Sequence, residues 1–158
     1  MRSAVGTVVV AAGIFVAATT AGSSGPAQVT RGALTPFAAG SGGVVAGHAQ
    51  MVRTASGSTI VSLHVEGLTP AGQYASHVHA APCAIGAANG HYKLDPTGPA
   101  VPPNEIWLAG GPFVANAGGI ANGRAVAGYV AGPSAVSVVV HDLSLPSTAN
   151  KIACADLR

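Results

Sequence analysis

Apolar and polar side chains alternate without interruption in Ile60-Val61-Ser62-Leu63-His64-Val65-Glu66. Val61, Leu63 and Val65 fall on one face and Ser62, His64 and Glu66 on the other, the period-two signature of a half-buried strand. Further short apolar stretches recur at 44–52, 59–65, 73–79, 105–108, 112–114, 124–130, 135–141 and 151–155, and Gly, Pro, Asn or Ser separate nearly all of them. Evenly spaced strands with Gly-rich turns and almost no helical periodicity predict an all-β fold. The expected architecture is a Greek-key β-sandwich or flattened barrel of about eight antiparallel strands. Residues 80–103 interrupt the rhythm, and so long an irregular segment in a small domain is expected to be functional or pinned.

The first residues follow a different pattern. Met1-Arg2 precedes an apolar run over about 4–18 and then Thr19-Thr20-Ala21-Gly22-Ser23-Ser24, which reads as a secretory signal peptide over 1–24 with an approximate cleavage point. An uncleaved anchor is the alternative, but the run is short for a bilayer crossing of about 20 residues. No cysteine follows it for lipid attachment. Residues 25–43 lack usable periodicity and are expected to be a flexible lead-in, with the domain occupying 44–158. The mature chain is therefore expected to be secreted, periplasmic or in the cell envelope, with no stable membrane insertion after cleavage.

Composition narrows the function classes. Charged residues make up 8% of the 158, and Arg2, Arg31, Arg53, Lys93, Arg124, Lys151 and Arg158 are too scattered to track a phosphate backbone. One Trp, three Tyr and three Phe provide no base-stacking platform. Nucleic acid is excluded as a partner on both counts; no pattern assigns an oligomeric interface. The two cysteines, Cys83 and Cys154, are expected to form a disulfide in an oxidising compartment, the alternative being two separate buried thiols.

Candidate chemistry lies in the six histidines. In His77-Val78-His79 both imidazoles leave a strand on the same face. His91 in Gly90-His91-Tyr92 and His141 in Val138-Val139-Val140-His141-Asp142 fall in equally distinctive settings, and convergence of the four makes an all-nitrogen metal site. Such a set suits Cu(II), which leads the divalent affinity series. His64 is expected on the solvent face of its strand, and His48 has no metal-like neighbour.

Gly67-Leu68-Thr69-Pro70-Ala71-Gly72-Gln73-Tyr74-Ala75-Ser76-His77-Val78-His79, Cys83, Gly90-His91-Tyr92, Val139-Val140-His141 and Ala153-Cys154 follow one another in an order that resembles the Cu/Zn superoxide dismutases, from about residue 44 to 157. The resemblance implies that His77, His79 and His141 bind copper throughout the redox cycle and that His91 occupies the position bridging copper to zinc. It likewise implies that Cys83 and Cys154 take the family's disulfide positions. Two further histidines of the family's zinc site are missing, since none occurs between His91 and His141, so one copper per chain and no zinc is expected.

Lys151 stands where the family has a substrate-guiding arginine, keeping charge without the planar fork, and 142–150 is shorter than the family's charged loop. These departures resemble the copper-only, exported branch, in which a carboxylate replaces zinc in orienting the bridging-type histidine. Glu105 is the candidate, Asp95 the second choice, and a surface strand position the alternative for Glu105. The implied activity is superoxide dismutase, converting superoxide to dioxygen and hydrogen peroxide, with His91 as proton carrier and Lys151 attracting the anion. A non-enzymatic secreted copper carrier of the same fold is the alternative, and a structural β-sandwich whose histidines bind nothing is a third.

Overall fold

A computed structural model of the chain describes residues 25–37 and 45–158. The expected signal peptide over 1–24 lies outside the described residues. Among the described residues, nine strands form two antiparallel sheets: β1 (Gln28–Ala33), β2 (Thr35–Pro36), β3 (Ala46–Arg53), β4 (Thr59–Glu66), β5 (Gln73–His79), β6 (Phe113–Val114), β7 (Ala121–Ala127), β8 (Ser137–Asp142) and β9 (Lys151–Asp156). One sheet has the order β1-β3-β4-β7 and the other β2-β9-β8-β5-β6. The all-β expectation holds as a sandwich of two sheets; no helix among the described residues is long and apolar enough to cross a membrane.

β4 shows why the sheets stack. Its inward residues Thr59, Val61, Leu63 and Val65 are buried, while Ile60, Ser62 and His64 are only partly covered. They meet Tyr74 and Val78 of β5, Val138 and Val140 of β8, and Ala153 and Ala155 of β9 in one core. Each fully buried valine or leucine contributes roughly 1.5–3 kcal/mol. Arg53 at the end of β3 ties the sandwich to the chain entering β8, donating from Nε to the Ala131 carbonyl at 2.8 Å and from Nη2 to that of Ala135 at 2.9 Å.

β5 differs, because it is buried from Tyr74 through His79. Its even-numbered residues face the core, and its odd-numbered side is covered by the long connection to β6. That connection forms no continuous ladder; it makes single backbone bridges at His79↔His91, Lys93↔Glu105 and His77↔Trp107 and a 3₁₀ turn over Leu108–Gly110. The disulfide Cys83–Cys154 pins its start to β9.

Two expectations need correction. Residues 25–43 are not all lead-in: β1 pairs along its whole length with β3, from Gln28↔Arg53 to Ala33↔His48, and β2 pairs with β9. The sheets therefore include Gln28–Ala33 and Thr35–Pro36, which lie before Val44. β1 is an edge strand held by backbone pairing, with Arg31 N donating to the Arg158 carbonyl at 2.9 Å, and Gly32 lies so close to the Asp156 carbonyl that any Cβ would collide with it. The stretch 105–108 is not a ladder strand either. It makes single bridges before the backbone turns left-handed at Ala109 (φ 58°) and Gly110 (φ 72°).

Candidate metal centre

β5 and β8 lie side by side with Ala75 opposite His141 and His77 opposite Val139. The odd-numbered residues of both strands share the outward face, so His77, His79 and His141 project to the same side of the sheet. His91 is brought over them by its bridge to His79. One ligand nitrogen from each of the four lies within 4.8 Å of the others, and Nε2 of His79 and Nε2 of His141 are 3.3 Å apart. Among the described residues this is the one group of histidine, cysteine and carboxylate side chains with metal-ligand spacing. The four rings line an open recess of about 340 Å³, with Asn150 and Lys151 on its rim.

The second nitrogen of each ring decides which one faces the recess. His79 Nδ1 donates to the carbonyls of Asn89 at 3.2 Å and Ala88 at 3.3 Å. His141 Nδ1 donates to Asn150 Oδ1 at 3.1 Å. His91 Nδ1 donates to Glu105 Oε2 at 2.7 Å. In each case Nε2 is left with its lone pair free, the arrangement that outer partners impose on metal-binding imidazoles. His77 is the exception: its Nδ1 is buried and has no hydrogen-bond partner. An orphaned buried nitrogen is costly, and a metal ion in the recess would satisfy it. Four neutral donors with these orientations can hold one metal ion.

Electrostatics favour the neutral, ligating form. Burial, reinforced by the neighbouring imidazoles, lowers the pKa of His77 to about 2 and of His79 to about 3. Burial likewise brings His141 down to about 4, opposed in part by its bond to Asn150.

Glu105 is 3% exposed, and its Oε2 accepts from both His91 Nδ1 and Trp107 Nε1, each at 2.7 Å. It is thus a buried partner of His91, in contrast to the surface alternative. Asp95 is exposed and turned to its own loop, with Oδ1 accepting from the Thr97 amide and hydroxyl at 2.9 and 2.8 Å; the structure does not bring it to the histidines. His48 and His64 lie opposite each other in the other sheet. His64 bonds Glu66 and Asn122 at 2.8 and 2.9 Å.

Lys151 reaches the recess through an irregularity. The β8–β9 ladder pairs Val139 with Cys154 and Val140 with Ala153, then jumps to His141 with Lys151. Strict alternation would place Ile152 beside His141; the bulge keeps Ile152 in the core at 3% exposure and delivers the lysine outward. Its Nζ donates to the carbonyls of Asn89 at 2.6 Å and Ala87 at 2.9 Å, and burial lowers its pKa. Those carbonyls belong to a left-handed turn, with φ of 53°, 50°, 64° and 51° at Gly86, Ala87, Ala88 and Asn89. Three of the four are not glycine, and the two alanines each cost roughly 1–2 kcal/mol in that conformation. The ammonium closes the turn that also supplies the acceptors for His79.

Sequence reasoning missed Asn150, Trp107 and the Ala88 and Asn89 carbonyls. Trp107 carried a signal, lying two residues from Glu105 in extended chain, whereas Asn150 meets His141 across a ladder irregularity no periodicity announces. No protein-family model matches the chain, and no curated protein does.

Proposed function

We propose that this chain is an exported, copper-only protein of the superoxide dismutase type, converting superoxide to dioxygen and hydrogen peroxide. The observation that carries the reading is the donor set: three imidazoles oriented through bonded Nδ1 atoms and one buried Nδ1 without a partner. Four nitrogen ligands suit copper more than a zinc site, which more often recruits thiolate or carboxylate. Zinc is not expected, and Glu105 serves as the partner of His91 Nδ1. Copper bound here would supply one-electron chemistry, oxidising one superoxide to dioxygen and reducing a second, which takes up two protons, to hydrogen peroxide.

The chain's own residues account for the remaining requirements. His77, His79 and His141 are held by strands and stay in place. His91, on the loop, is the partly exposed member, and its Nε2 is the atom suited to take up a proton and release it toward the recess. Glu105 keeps Nδ1 of that ring protonated, so proton exchange is confined to Nε2. The disulfide supports an oxidising compartment.

Copper-loaded protein should disproportionate superoxide faster than free copper at equal concentration, and should show one copper, no zinc and a nitrogen-rich tetragonal paramagnetic resonance spectrum. A rate equal to the free-copper control would remove the enzymatic reading. A copper carrier is then the second reading, favoured by one feature: the Lys151 ammonium is engaged by the Ala87 and Asn89 carbonyls instead of standing free to attract an anion.

A further inference from the structure

We infer that Trp107 is a positioning residue of the metal centre, a latch that keeps the Glu105 carboxylate on His91. The inference rests on the four histidines being the metal centre, and concerns a residue that touches no ligand-bearing nitrogen. The Glu105 side chain is 1% exposed, so its charge depends on protein donors. Two of them meet on one oxygen: His91 Nδ1 and Trp107 Nε1, both 2.7 Å from Oε2. A buried carboxylate that loses one of two donors gains by turning to another polar surface.

Such a surface adjoins it. Behind the site lies a separate recess of about 310 Å³ whose wall includes Glu105, Trp107, Pro103 and Arg124. Arg124 is the one cation on that wall. The indole N–H therefore decides between two directions for the carboxylate, toward His91 or toward the rear recess. The ring itself is fixed independently. Trp107 bridges the His77 backbone, and its indole packs against the His77 imidazole at a centroid distance of 4.9 Å and 58°. One side chain thus braces two of the four ligands, His77 by contact and His91 through Glu105.

The test uses metal-free protein at pH 7.5 and nitrogen-15 resonances of the imidazoles. In the wild type His91 should occupy one tautomer, with the proton on Nδ1. Trp107→Phe keeps an aromatic ring against His77 but removes the N–H, and should weaken the tautomer preference of His91 about tenfold, the loss of one charge-assisted bond. The His64 resonances, set by Glu66 and Asn122 on the other sheet, serve as the internal reference for an intact fold. An unchanged His91 tautomer in a folded Trp107→Phe variant overturns the inference. Should that variant fail to fold, the chain's single tryptophan permits a second measurement. Its indole proton should be protected from exchange in the wild type and lose protection in Glu105→Gln; free exchange in the wild type overturns the latch. Copper affinity, measured separately, should fall about tenfold in Trp107→Phe. Absence of copper binding by the wild type would instead refute the metal-centre reading while leaving the tautomer result standing.

Discussion

Acidifying the metal-free protein should unfold it well above the pH at which carboxylates titrate. Burial lowers His77, His79 and His141 to about 2, 3 and 4 in the folded chain, against the ordinary 6.5 of a solvated imidazole. The unfolded chain therefore binds three protons, between pH 6.5 and about 4, that the folded chain refuses. Because the unfolded state gains more protons, stability falls as pH falls, by about 1.4 kcal/mol per pH unit for each proton. From pH 7 to pH 5 each histidine costs about 2 kcal/mol and the three together about 6. A domain of this size has about 5–15 kcal/mol of stability in all, so the metal-free form should lose much of its cooperative transition near pH 5. Denaturant titrations with chelator, followed by emission of the single tryptophan, measure the slope directly. His141→Asn should remove about a third of it, and copper should move the loss to lower pH by holding the rings neutral. A change below about 1 kcal/mol between pH 7 and 5 would refute the assignment of three buried neutral imidazoles.

Other perturbations address other parts of the site. Replacing both Cys83 and Cys154 by serine opens a loop with a sequence separation of 71 and should cost about 4 kcal/mol in the chain-entropy description, read from denaturation midpoints in non-reducing buffer. Lys151→Met removes the donors that close the left-handed turn and should cost about 1–3 kcal/mol; Lys151→Arg should restore most of it. Salt tests the charge separately: dismutation that slows with ionic strength supports anion attraction by Lys151, and identical rates at low and high salt refute it. His91→Ala should retain three ligands and bound copper while losing most turnover, and an unchanged rate would remove His91 from proton delivery.

Much of the fold was legible because β4, β5 and β8 are written in side chains. Ile60 to Glu66 alternate, and Val138, Val139 and Val140 form the continuous apolar run of a strand covered on both faces. β1 was not legible, since its pattern of exposure carries no apolar stripe and its stability comes from backbone pairing with β3. His77 and His79 followed from period two alone. His91 was a candidate by its setting, but its bridging-type role came only with the resemblance, because no periodicity reaches across the loop that carries it. The outward direction of Lys151 could not be read at all, since it depends on a bulge that breaks the alternation. Glu105 was anticipated as a partner of His91, but the fold that buries it beneath Trp107 is a tertiary fact.

Two of the four ligands sit on the outer side of β5, whose inner side builds the core. Tyr74 and Val78 hold the two sheets together, while His77 and His79 on the opposite face contribute to nothing the sandwich needs in order to form. Exchanging those histidines for residues of similar shape should therefore silence the chemistry and leave a molecule of equal or greater acid resistance. Function and endurance are inherited from alternate letters of the same short word, free to change one without the other.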